Sequence, residues 1–162
     1  MSGIDPGVVM GHVHLRVSDL DRSVAFYDGV LGFEVTQRVG DAVAFLSAGG
    51  YHHHVGLNTL RSRGAGPAPR EGPGLYHAAF LYPGRPALAR AVRRVLDAGV
   101  ALTGATDHGV SEAVYLDDPD GNGLELYVDR PEADWPRDGS GRIAMGNAPL
   151  DLGRLLAVAG SR

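Results

Sequence analysis

Apolar and polar residues alternate over HVHLRV, residues 12–17. Val13, Leu15 and Val17 fall on one side and His12, His14 and Arg16 on the other, which is the period of a strand. The period then changes. In SDLDRSVAFYDGVLGF, residues 18–33, Leu20, Val24, Phe26, Tyr27 and Leu31 recur at the spacing of one buried helix face. Ser18 or Asp19 stands where an N-cap belongs, and Gly32 where a helix ends. Residues 33–39 and 42–48 read as two strands joined by a Gly40-Asp41 turn, and HHHVGLNT, residues 52–59, as a third. The first part of the chain is therefore β-α-β-β-β.

A connection rich in Gly and Pro, residues 61–74, interrupts the pattern. Beyond it the same order returns. LYHAAFLY, residues 75–82, predicts a strand. Residues 84–100 predict a helix with Leu88, Val92, Val95 and Leu96 on one face and Gly99 at its end. Residues 101–108 hold a weak strand, and residues 112–129 a hairpin turning at DPDGNG. A duplicated βαβββ order predicts an α+β fold, with two tandem modules in one domain spanning 1–162. Module one covers about 10–60, the linker 61–74, module two about 75–130 and a tail 131–162. A short terminal helix is expected in LDLGRLLAVA, and no chemistry is assigned to the tail. Each module covers one sheet face with its helix, so the free faces are expected to build a cupped mixed sheet jointly.

Composition narrows the function. The apolar share of 44% suits a packed core. All 15 basic residues are Arg, against 19 acidic ones, and the net charge of −4 argues against nucleic-acid partners. With no Cys, disulfides, thiolate ligands and thiol nucleophiles are excluded. The start, MSGIDPGVVMGHVHL, has no basic region followed by an apolar run, and no stretch is long enough to span a membrane. A cytoplasmic protein without membrane partners is expected.

Any metal must then be held by His, Asp or Glu. Three of the seven histidines are adjacent, at 52–54. On a strand His52 and His54 would share a face and His53 would take the other. His12 opens the first strand of module one, and His77 the first strand of module two. Glu125 lies between Leu124 and Leu126 on the last strand. Side-chain parity puts His12, His77 and Glu125 on the faces turned away from the helices. Two imidazoles and one carboxylate form a facial set that leaves positions open on Fe(II), and the same donors suit Zn(II), Mn(II) or Ni(II). Each residue also has an ordinary reading, His as a surface or core side chain and Glu as the wet face of a strand. The ordinary reading is preferred for Arg90, Arg93 and Arg94 as a solvated helix face, for Asp117 and Asp118 as turn formers, and for Trp135 as a packing anchor.

The motifs GHVHLRVSDLDRSVAFYDGVLGFEV, LYHAAF and YLDDPDGNGLELY together resemble the vicinal oxygen chelate superfamily of glyoxalases, bleomycin and fosfomycin resistance proteins and type I extradiol dioxygenases. The resemblance implies the glyoxalase/dioxygenase fold around a metal site, with His12, His77 and Glu125 as ligands. YHHHVGLNTL and the tail pattern resemble the small catechol 2,3-dioxygenase-like branch. That branch implies an acid/base at His53, with His54 the alternative one register away, a substrate-contacting Tyr115 and a further active-site His108. It also implies Fe(II), a catecholic substrate, O2 and a homodimer. Many extradiol enzymes carry four such modules, and this chain has two. The rival readings are a glyoxalase-type lyase or isomerase, which uses a second carboxylate as base, and a metal-free drug-sequestering protein.

Overall fold

The computed structural model describes residues 3–67, 69 and 71–160; Ala68 and Arg70 of the predicted linker lie outside the described residues. The chain divides into two compact units, 1–65 and 66–162. Among the described residues no helix is long and apolar enough to cross a membrane.

The first unit contains β1 (Val13–Arg16), α1 (Leu20–Val24), β2 (Glu34–Val39), β3 (Val43–Ser47) and β4 (Val55–Asn58). Its sheet has the order β1-β4-β3-β2, with β1 parallel to β4 and the other pairs antiparallel. The alternation along β1 holds: Leu15 and, just past the strand, Val17 are buried, while His12, His14 and Arg16 are exposed. Asp19 caps α1 by accepting the Arg22 N–H at 3.0 Å, which satisfies one free donor of the first turn. A single α-helix was expected through this stretch. Instead the chain widens into a π-helix over Ala25–Val30, in which the Leu31 N–H donates to Phe26 O, five residues back, at 3.1 Å. With the wider turn, Phe26, Tyr27 and Leu31 are all buried.

The main correction concerns residues 52–59. They were expected to form one strand, but β4 begins only at Val55, and the three histidines precede it in irregular chain. Gly49 and Gly50, at φ 66° and 81°, turn the backbone just before. Thr36 Oγ1 then donates to the His52 carbonyl at 2.9 Å, and pairing resumes where the His54 N–H donates to Leu46 O at 2.8 Å. Strand parity therefore does not govern which imidazoles share a face.

The second unit contains β5 (Ala78–Leu81), α2 (Arg85–Asp97), β6 (Leu102–Asp107), β7 (Ser111–Asp117), β8 (Gly123–Asp129), β9 (Ala148–Pro149) and α3 (Leu152–Leu156). Its sheet has the order β5-β8-β7-β6-β9, the same plan as the first with β9 added at the edge. Leu88, Val92 and Val95 of α2 are fully buried, each contributing roughly 1.5–3 kcal/mol. Leu96 was predicted on that face but is 39% exposed; it lies in the last turn, one residue before α2 ends at Asp97. A charge at Val92 is the single change that would most directly break this packing. Arg90, Arg93 and Arg94 are exposed, as expected. Asp118 accepts from the backbone N–H groups of Asp120 and Asn122, at 2.9 and 2.8 Å, and so builds the turn.

The tail packs within this second unit. The Trp135 indole N–H donates to Arg130 O at 2.8 Å, β9 pairs with β6, and α3 lies on α2 with Leu155 wholly buried.

Candidate functional site

In the second unit the parallel pairing of β5 with β8 sets Ala78 beside Leu124 and Ala79 beside Glu125. His77, one residue before β5, then reaches Glu125: His77 Nε2 lies 2.9 Å from Glu125 Oε2. The carboxylate is only 12% exposed. Gly123 makes this approach geometrically accessible. A Cβ there would lie 2.5 Å from the Tyr76 carbonyl oxygen and 3.4 Å from His77 Cβ.

Tyr115 stands opposite Glu125 on β7, with its hydroxyl 3.3 Å from Glu125 Oε1. Burial, the Glu125 charge and the bond to it push the phenol pKa up to about 12, so the hydroxyl keeps its proton at neutral pH. His108 Nε2 lies 2.8 Å from the same hydroxyl, and His108 Nδ1 lies 2.9 Å from the carbonyl oxygen of Gly146. Four of the predicted site residues, His77, Glu125, Tyr115 and His108, thus form one continuous polar chain that ends on the tail.

In the first unit His12 and His53 come together, with ring centroids 4.4 Å apart. His52 and Phe45 also flank His53, with ring centroids at 4.5 and 4.9 Å. Its pKa is lowered, first by burial and then by the positive charges that His12, His52, His14 and His54 would carry. His53 Nδ1 is 2.7 Å from His52 Nδ1, so one ring donates and the other accepts. His54 is turned elsewhere. Its Nδ1 accepts the Ala48 N–H at 3.2 Å and lies 3.1 Å from Ser47 Oγ, closing the end of β3.

Register makes the two units comparable residue by residue. His14 pairs with Gly56 as Ala79 pairs with Glu125, and Phe45 pairs with Gly56 as Tyr115 pairs with Glu125. The first unit therefore has Gly56 where the second has its carboxylate, and Phe45 where the second has its phenol. The His14 ring lies over Gly56, and a Cβ there would meet it at 2.8 Å.

Among the described residues, neither unit alone gathers three His, Cys, Asp or Glu side chains that could hold a metal ion. The pair His77 and Glu125 offers one imidazole nitrogen and one carboxylate oxygen already converged, a donor set that suits Fe(II), Mn(II) or Zn(II). The sequence reading passed over Gly123 and Gly146. Gly123 carried a signal, a second glycine straight after a turn and two residues before a candidate ligand; Gly146 carried none.

Two βαβββ units, the second with convergent His, Glu and Tyr side chains, define the class of protein. The chain belongs to the Glyoxalase/Bleomycin resistance protein/Dioxygenase superfamily, which it matches over residues 9–126. It is 41% identical over 160 residues to the catechol-2,3-dioxygenase of Bacillus subtilis (strain 168), covering 99% of this chain and 55% of that protein. It is 31% identical over 120 residues to biphenyl-2,3-diol 1,2-dioxygenase 3 of Rhodococcus globerulus, covering 74% of this chain and 63% of that one. The chain thus spans little more than half the length of these curated relatives. A glyoxalase/dioxygenase of known structure from Nostoc punctiforme shares the fold at a TM-score of 0.65 and 22% identity, over 81% of this chain and 99% of that one.

Proposed function

We propose that the protein is an extradiol dioxygenase that opens a catecholic ring with O2, using Fe(II) held by His12, His77 and Glu125. The observation that carries the reading is the chain from His77 through Glu125 and Tyr115 to His108, which sets a phenol and an imidazole beside a metal-competent pair. The names of the relatives support the same chemistry. When bound by these residues, the iron would supply Lewis acidity toward the hydroxyls of a catechol and redox chemistry toward O2. The residues of the chain do the rest. His53, whose lowered pKa keeps it neutral at pH 7, takes a phenolic proton and later returns one. Tyr115 hydrogen-bonds a substrate oxygen, and His108 supports Tyr115.

Against a glyoxalase-type lyase stands Gly56, since the module-one position matched to Glu125 carries no carboxylate to act as the second base. The metal-capable pair weighs against a purely sequestering role. A cytoplasmic homodimer belongs to the same reading, and sedimentation of the purified protein tests the dimer.

The deciding experiment is anaerobic loading with Fe(II), then O2 uptake and visible absorbance with simple catechols. Coupled O2 consumption and a yellow product, both absent in Glu125→Ala, are expected. Iron binding without reaction on any catechol would remove the dioxygenase reading and send the work to lyase substrates.

A further inference from the structure

The tail carries no predicted chemistry, yet its main chain touches the site at one residue. The Gly146 N–H donates to the His108 carbonyl at 2.9 Å, and His108 Nδ1 faces the Gly146 carbonyl at 2.9 Å. The contact is doubly made and is held from both sides. On one side the Ala144 N–H donates to Pro136 O at 2.8 Å. On the other, Ala148 and Pro149 pair with Asp107 and Thr106 of β6, and Leu155 is buried where α3 meets α2.

We propose that the C-terminal tail is a positioning element of the site: Gly146 clamps His108 as its Nδ1–H tautomer, so that Nε2 faces the Tyr115 hydroxyl as an acceptor. A carbonyl oxygen can only accept, so a 2.9 Å contact with it requires the proton on His108 Nδ1. A neutral imidazole has one N–H, which leaves Nε2 as the acceptor. The Tyr115 hydroxyl has one proton and two neighbours, His108 Nε2 at 2.8 Å and Glu125 Oε1 at 3.3 Å. Both neighbours can then only accept, so the one phenol proton is shared between them and neither donates to the Tyr115 oxygen. One consequence follows. The Tyr115 oxygen presents lone pairs, so it accepts from a substrate hydroxyl rather than donating to a substrate oxygen. Without the clamp the ring is free to carry its proton on Nε2. It would then donate to Tyr115 and turn the phenol proton wholly onto Glu125.

The consequence for Tyr115 rests on the dioxygenase reading, whereas the tautomer does not, and the test separates them. Long-range 1H–15N correlation spectra of the full chain, labelled at histidine, report which ring nitrogen of each imidazole is protonated. His108 is assigned by its loss in His108→Gln. The expected wild-type pattern is Nδ1–H. Tyr115→Phe should preserve it, because Gly146 and not the phenol sets the tautomer. Gly146→Pro, which removes the N–H anchoring the clamp but leaves β9 and α3 intact in sequence, should shift His108 toward Nε2–H. It should also lower kcat on a catechol about 10-fold, with KM little changed. An Nε2–H pattern in the wild type, or Nδ1–H persisting in Gly146→Pro, overturns the proposal. An Nδ1–H clamp in a protein that turns over no catechol leaves the tautomer assignment standing and removes the dioxygenase reading instead.

Discussion

Gly123→Ala tests the positioning of His77 most directly. The added Cβ would lie 2.5 Å from the carbonyl oxygen of Tyr76, and even a 3.0 Å contact demands about 0.5 Å of movement. The atom struck is backbone, so no side-chain rotation relieves the clash. The shift must separate β5 from β8 at the point where Ala78 pairs with Leu124. Forced overpacking of this kind costs about 1–3 kcal/mol. The same displacement spreads His77 Nε2 and Glu125 Oε2 beyond their 2.9 Å contact. Site geometry tolerates only about 0.5 Å, so divalent-metal affinity should fall on the order of 10-fold or more. Urea denaturation of the metal-free protein reads the first effect and calorimetric titration with Zn(II) the second. Gly139→Ala, where an added Cβ meets nothing within 4 Å, is the control and should change neither. A Gly123→Ala protein with wild-type midpoint and wild-type affinity would refute the view that this glycine sets the His77 approach.

Leu155→Ala should lose about 2–5 kcal/mol in denaturant unfolding, since a wholly buried side chain leaves a cavity between α3 and α2. Glu112→Ala, which strips a 9%-exposed carboxylate from Arg85 at 2.6 Å and Arg130 at 3.1 Å, should cost about 3 kcal/mol; a loss within error of zero would mean water solvates both arginines. Burial raises the Tyr82 pKa above its ordinary 10.0, opposed in part by Arg94. Its contribution to stability is therefore complete below about pH 10 and is lost as pH rises through the folded value, which absorbance titration against Tyr82→Phe would follow. On the proposed mechanism His53→Ala should retain iron and lower kcat about 10²–10⁴-fold, and wild-type turnover would end the acid/base role.

The periodicity of apolar residues determined most of the architecture. Strand alternation at residues 12–17, the helical stripe of Leu88, Val92 and Val95 and the Asp118 turn are local patterns, and local sterics and burial express them directly. So are the residue types at 12, 77 and 125, because their chemistry does not depend on what surrounds them. The histidine run escaped this logic. Two glycines turn the chain before it and Thr36, from another strand, binds its backbone, so the period that places strand side chains never applied. Placing His53 against His12 and turning His54 toward Ser47 was therefore a tertiary decision. The same is true of Gly123, whose lack of a Cβ matters only because Tyr76 comes close from the chain just before β5. It is true above all of the tail, where Gly146 has no side chain to advertise a role. What joins it to His108 is backbone hydrogen bonding across 38 residues of sequence, which only the folded sheet brings within reach.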